Sequence, residues 1–191
     1  MKNNKWLYLL MLIFLMLGCA KDRDEMEFRV NSELLGNRFQ SELLGFSFLP
    51  PKACTELPDS LAAPLAEQLK SQIDAAGNVL VVPVKFFVNE EDMFICIVSE
   101  LMNFQVTKSA IEGYEQMVRR TAKGGEIKQT KYHYHKFDVH QLLVINDDMV
   151  QFKLFFPVEN GRSFQLDYVV PKSHYVKYME AIESSIGSIQ K

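Results

Sequence analysis

The chain predicts an α+β domain, with a central antiparallel β-sheet of about six or seven strands flanked by helices. Three observations carry this. Apolar runs with a two-residue period recur, most plainly in Phe164, Leu166, Tyr168 and Val170, which alternate with Ser163, Gln165 and Asp167. Other segments repeat their apolar residues every three or four positions, as helices do. Finally, the order of elements is hairpin, helix, hairpin, helix, a four-strand meander, helix. A parallel sheet would need a crossover between its strands instead.

Residues 1–18 stand outside that fold. Lys2 and Lys5 precede an apolar run from Trp6 to Leu17, followed by Gly18-Cys19-Ala20. The run is shorter than the roughly 20 residues a spanning helix needs and suits the apolar centre of a signal peptide. Leu17, Gly18 and Cys19 resemble a bacterial lipoprotein processing site, with Met16 where leucine is usual. The resemblance implies cleavage before Cys19, acyl chains on Cys19 and membrane attachment through that lipid. Ala20, in place of aspartate, implies the outer membrane, on its periplasmic face or at the cell surface. Residues 19–31 read as a polar tether, and 32–191 as one domain.

Within 32–191, Ser32-Glu33-Leu34-Leu35-Gly36 and Ser41-Glu42-Leu43-Leu44-Gly45 form a near-repeat. They read as turns around a short hairpin whose second strand, Phe46-Ser47-Phe48-Leu49, stops at Pro50-Pro51. A helix begins at Asp59 or Ser60, turns Leu61, Leu65, Leu69 and Ile73 inward, and ends at Gly77. Val79–Val88 and Met93–Val98 form a hairpin across Asn89-Glu90-Glu91-Asp92. Its first run is apolar on both parities, which predicts cover on both faces, while Pro83 marks a bulge or an edge. The second helix starts near Ser109, with Glu112 completing a capping box. It buries Ile111, Tyr114 and Val118 and stops at Gly124-Gly125. The meander runs through about Ile127–Phe137, His140–Ile145, Val150–Phe156 and Phe164–Val170, its last turn carrying the Asn160-Gly161 signal. After Pro171, Ser173 caps a helix whose packed face is Tyr175, Met179, Ile182, Ile186 and Ile189.

Three segments together resemble the Mog1/PsbP-like fold: Leu44-Gly45-Phe46-Ser47-Phe48-Leu49-Pro50, the long meander, and the aromatic strand ending in Pro171 before Tyr175 and Ile182-Glu183-Ser184-Ser185-Ile186. The likeness covers about residues 37–190. It implies an antiparallel sheet between helices used as a binding or assembly module. Members bind partners as different as a small GTPase and the photosynthetic oxygen-evolving complex, so the fold does not fix the function. No family binding motif carries over to these residues.

Composition narrows the choices. The formal charge is −3, and the leader carries two lysines and no acid, so the mature chain is more acidic still. Lys108, Arg119, Arg120 and Lys123 are too sparse for a basic surface, so no nucleic acid is expected. With Cys19 lipidated, Cys54 and Cys96 are left: a disulfide in an oxidising compartment, or two separate structural thiols. The segment Tyr132 to His140 concentrates imidazoles. On a strand His133 and His135 share a face, and with His140 and Asp138 they outline a zinc site, which needs three or four ligands. The other reading is a polar sheet face of stacked rings. The acidic turns at Glu90-Glu91-Asp92 and Asp147-Asp148 lack a calcium-loop pattern and read as solvated. No nucleophile elbow, phosphate loop or His-Glu-x-x-His occurs. The expectation is a lipid-anchored, non-catalytic binding or assembly module with an envelope protein partner. The alternative is an envelope metal-binding protein or metallohydrolase built on the histidine-rich strand.

Overall fold

The computed structural model describes residues 26–74, 80–121, 125–158 and 163–191. The expected leader, Cys19, Gly77, Gly124 and the Asn160-Gly161 turn lie outside them. The strands are β1 (Phe39–Ser41), β2 (Phe46–Phe48), β3 (Thr55–Glu56), β4 (Leu80–Asn89), β5 (Phe94–Met102), β6 (Glu126–Tyr134), β7 (Phe137–Ile145), β8 (Met149–Pro157) and β9 (Ser163–Pro171). The helices are α1 (Asp59–Asp74), α2 (Lys108–Thr121) and α3 (Tyr175–Gly187). β1 and β2 make a two-stranded sheet, and the other strands form one antiparallel sheet in the order β3-β4-β5-β9-β8-β7-β6. The predicted α+β class holds, with seven strands in the main sheet.

Local chemistry explains most element ends. The register of β4 against β5 shifts between Pro83 and Lys85, a bulge at the residue that cannot donate to the ladder. The bulge resets the alternation of β4, so Val81 and Phe86, of opposite parity, end up on one face while Phe87 packs on the other. Thr107 rather than Ser109 caps α2, its Oγ1 accepting from the Ala110 N–H at 3.2 Å. Ser173 does not cap α3 either; it sits in a 3-10 turn, Lys172–His174, that leads into the helix.

One face of the main sheet carries the β1–β2 hairpin and α3. Its core is largely aromatic: Phe164 is stacked on Phe46 and on Phe156, with ring centroids 3.9 and 4.5 Å apart. Helix α3 buries Tyr178, Ile182 and Ile186, with Ile189 just beyond it, whereas Met179, expected inside, is exposed. Three serines of this region tie in neighbouring chain: Ser185 donates to Leu49 O at 2.7 Å, Ser188 Oγ accepts from the Leu49 N–H, and Ser184 Oγ accepts from the Asn31 N–H. The stretch expected to be a tether lies against the body from residue 26 onward. Phe28 packs edge-on to Tyr134, and a Cβ on Gly187 would stand 2.6 Å from Phe28, so only glycine allows this approach.

The opposite face is covered by α2, whose Ile111, Tyr114 and Val118 are buried as predicted against Leu101, Leu142, Val144 and Phe155. Helix α1 packs along β4. Of the expected row, Leu61 and Leu65 are 55% and 43% exposed and Leu69 is half-buried, as are Ala62 and Ala66, while the Ile73 side chain lies outside what is described. Small alanines let the helix approach the strand more closely than leucines would.

Candidate functional site

The histidine-rich segment forms a tight β6–β7 hairpin. Strand alternation stops at Tyr134, which pairs with Phe137, and His135 occupies the turn in a left-handed conformation (φ 51°). His133 and His135 are therefore not the same-face pair that an unbroken strand would give. His133 pairs in register with Asp138 and its Nδ1 lies 3.2 Å from that carboxylate. His140, opposite Lys131, shares the face of His133 and Asp138 but is buried. Among the described residues, no three His, Cys, Asp or Glu side chains come together to hold a metal.

Cys54 and Cys96 are both buried free thiols. Cys54 immediately precedes β3, and the whole of β4 separates β3 from the strand carrying Cys96. The Cys54 side chain nonetheless reaches that strand, with Sγ 3.8 Å from Phe94 O, and the two thiols are not bonded to each other. Burial pushes the Cys54 thiol up to about 12, against a weaker lowering by a backbone hydrogen bond from Asn89. Burial likewise raises Cys96. Neither is a nucleophile at neutral pH.

A polar cluster lies under α2 that the sequence reading did not assemble. Lys153 of β8 and Asp167 of β9 are direct register partners, with Nζ 3.2 Å from Oδ1. Gln165 Nε2 donates to the other carboxylate oxygen at 2.6 Å. Burial works to lower the Lys153 ammonium, but the Asp167 carboxylate and the Tyr114 hydroxyl outweigh it and hold it above its ordinary value. Burial raises the Tyr114 hydroxyl. In the adjacent cross-strand row, Gln165, Phe155 and His140 stand side by side. Gln165 Oε1 and His140 Nδ1 are buried without a hydrogen-bond partner among the described residues. The signal for this cluster was present: Lys153 is the sole charge in Gln151–Phe156, and Asp167 the sole charge in Phe164–Val170. What hid it is that the polar side of an alternating strand reads as solvent-facing.

Asp92 belongs to a second network. It accepts from Lys177 Nζ at 2.5 Å and from the Tyr178 hydroxyl, and its other oxygen lies 3.5 Å from His174 Nδ1. The expected solvated turn is thus a clasp between the β4–β5 hairpin and the start of α3. Hydrogen bonds from Lys177 and Tyr178 hold the Asp92 carboxyl below its ordinary range.

A cleft of about 710 Å³ lies between β1 and β3. Phe39 and Phe87 stand in its wall with ring centroids 5.8 Å apart, edge to face. Arg38, Asn37, Gln40 and Lys52 supply its polar lining. The one carboxylate in the lining, Glu56, is engaged by Lys85 at 2.7 Å. Arg38 Nη1 donates to Ser47 Oγ and to Gln190 Oε1, which orients its guanidinium across the hairpin. No helix of the described residues is long and apolar enough to cross a membrane.

No protein-family model matches the chain, and no curated protein matches it in sequence. A search of solved structures finds a similar one, the solution structure of cyanobacterial PsbP (CyanoP) from Synechocystis sp. PCC 6803. The match has a TM-score of 0.51 and 12% identity and covers 82% of this chain and 92% of that one. The PsbP-like fold expected from the sequence is therefore present.

Proposed function

We propose that the protein is a lipid-anchored, non-catalytic binding or assembly module of the bacterial cell envelope, attached through Cys19 and acting on a protein partner. The observation that carries this reading is the cleft between β1 and β3. Its polar groups are turned to solvent, whereas the charges inside the sheet, Lys153 and Asp167, are spent on each other. A reacting acid or base needs access to substrate and a free proton site. A cleft of this size, lined by polar side chains beside an aromatic wall, offers both the contact area and the polar groups that binding needs. The PsbP-like fold supports the reading as a scaffold, and the lipoprotein-like site at Leu17-Gly18-Cys19 supports the anchor.

The test has two arms. In the first, cells expressing the intact chain are fed a labelled fatty acid. The label should enter the protein, and Cys19→Ser should lose it and shift the protein out of the membrane fraction; an unlabelled protein with its initiating methionine intact would remove the anchor. In the second, crosslinking in intact membranes should yield one partner at fixed stoichiometry. A substrate turned over by the purified protein would replace the binding module with an enzyme.

A further inference from the structure

Two strand edges line the cleft with backbone groups that find no partner among the described residues. In the β1–β2 hairpin, Ser47 exchanges both of its backbone hydrogen bonds with Gln190, at 2.9 Å each way. Ser47 therefore turns its N–H and C=O away from β1, and its register partner Gln40 must turn its own the opposite way, out of the hairpin. At the edge of the main sheet the Leu57 N–H donates to Phe86 O at 2.9 Å. By the same alternation, Glu56, one residue earlier and paired with Phe87, points its N–H and C=O out of the sheet. Gln40 and Glu56 both line the cleft.

The charges in the cleft have one sign to offer. Glu56 is taken by Lys85. Lys52 is exposed and its side chain has no ion-pair or hydrogen-bond partner among the described residues. Arg38 keeps donors beyond the Nη1 hydrogen bonds that orient it. The half-buried ring of Phe39, packed edge-on against the buried Phe87, provides apolar surface beside these cations.

We propose that the cleft receives an extended acidic peptide segment of a partner protein as an added β-strand, hydrogen-bonded to Gln40 on one side and to Glu56 on the other. This rests on the reading of the protein as a binding module and names the chemistry of its partner. Strand addition takes its affinity from main-chain hydrogen bonds and its specificity from alternate side chains. Here alternate residues of the guest meet the apolar wall at Phe39, and the residues between them meet Lys52 and Arg38. The guest is therefore a segment in which acidic and apolar residues alternate. It joins the two-stranded sheet to the main sheet in the order β2-β1-guest-β3-β4.

The full-length protein, purified from membranes in detergent, is offered two pools of capped octapeptides. In one pool aspartate alternates with mixed apolar residues; in the other lysine replaces aspartate. Peptides from the acidic pool should be retained and those from the lysine pool should not. A retained peptide, followed by fluorescence anisotropy, should bind about tenfold more weakly or worse to the surface variant Lys52→Glu. Gln40→Pro deletes an outward N–H that no hairpin bond uses and should weaken it similarly, as should N-methylation of alternate peptide amides. Retention of neither pool overturns the proposal. So does binding that both variants leave unchanged, or self-association of the protein that Gln40→Pro abolishes, which would make a second copy the occupant. A crosslinked envelope partner kept by both variants would sink the cleft proposal alone and leave the binding module standing. Loss of partner and peptide together in the variants supports both readings, whereas a parent protein that yields neither a crosslinked partner nor a retained peptide would remove both.

Discussion

The two faces of the main sheet are built on different principles. Towards the β1–β2 hairpin and α3, strand β9 presents Phe164, Leu166, Tyr168 and Val170, all fully buried. Towards α2, the same strand presents Ser163, Gln165 and Asp167, which are also buried. One strand thus serves a dry aromatic core on one side and a polar cluster with an ion pair on the other. The dry face gains from burial and from ring stacking. The polar face gains little net energy from its ion pair, because desolving two charges offsets most of their attraction. What it gains is register: Lys153 opposes Asp167 only when β8 and β9 pair as they do.

Deleting a ring from the dry face should produce the largest effect. Phe164→Ala removes two stacked contacts and leaves a cavity in fully buried surroundings. It should cost about 4 kcal/mol, read as a lower urea midpoint at unchanged slope. A cost below about 1 kcal/mol would mean that the faces do not differ as described.

On the polar face the effect depends on which partner is lost. Asp167→Leu alone leaves an ammonium buried against an apolar neighbour and should cost about 3 kcal/mol. Adding Lys153→Met should recover most of that loss, because the pair as a whole is nearly neutral in stability. No such rescue exists for Phe164→Ala. If the double variant is no better than the single, the pair stabilises the fold outright and the contrast between the faces fails.

His140 makes the polar face sensitive to acid. Burial, with the Lys131 charge and against the Asp138 charge, lowers its pKa from the ordinary 6.5. The unfolded chain then binds the proton first, so stability falls as the solution is acidified. The contribution is complete above about pH 6.5 and is lost as pH drops through the folded-state value. Urea midpoints measured from pH 7.5 down to pH 5 should decline less in His140→Leu than in the parent protein.

The strands and the helical segments were legible because each depends on a short-range period. Phe164 to Val170 announced its two-residue alternation, and Ile111, Tyr114 and Val118 their helical spacing. What could not be read was which second surface covers an element. Nothing local in β9 says that α2 lies over Asp167. Nothing in the meander says that His135 leaves the strand to close the turn. The cleft was hidden for the same reason: β1 meets β4 through Phe39 and Phe87, which are far apart in the chain, and outward-turned backbone edges leave no trace in side-chain identity. Asp92 looked like a solvated loop acid because its partners, His174, Lys177 and Tyr178, come from the far end of the chain.

Helix α1 gives the smallest expected effect and the most direct test of how a helical period should be used. Leu61 and Leu65 recur at helical spacing, yet both are largely exposed, and Ala62, Ala66 and Leu69 take the side towards β4. Periodicity finds a stripe, but two stripes one residue apart differ by only about 100° around the axis. Which stripe packs is decided by how closely the strand can be approached. If the alanine side faces β4, Leu61→Gln and Leu65→Gln remove apolar surface that water already reaches and should change stability by no more than about 0.5 kcal/mol each. Ala66→Leu, adding bulk on the packed side, should cost more than either through overpacking. The reverse ranking in urea titrations would put the leucines inward and α1 in the orientation that the leucine spacing alone suggests.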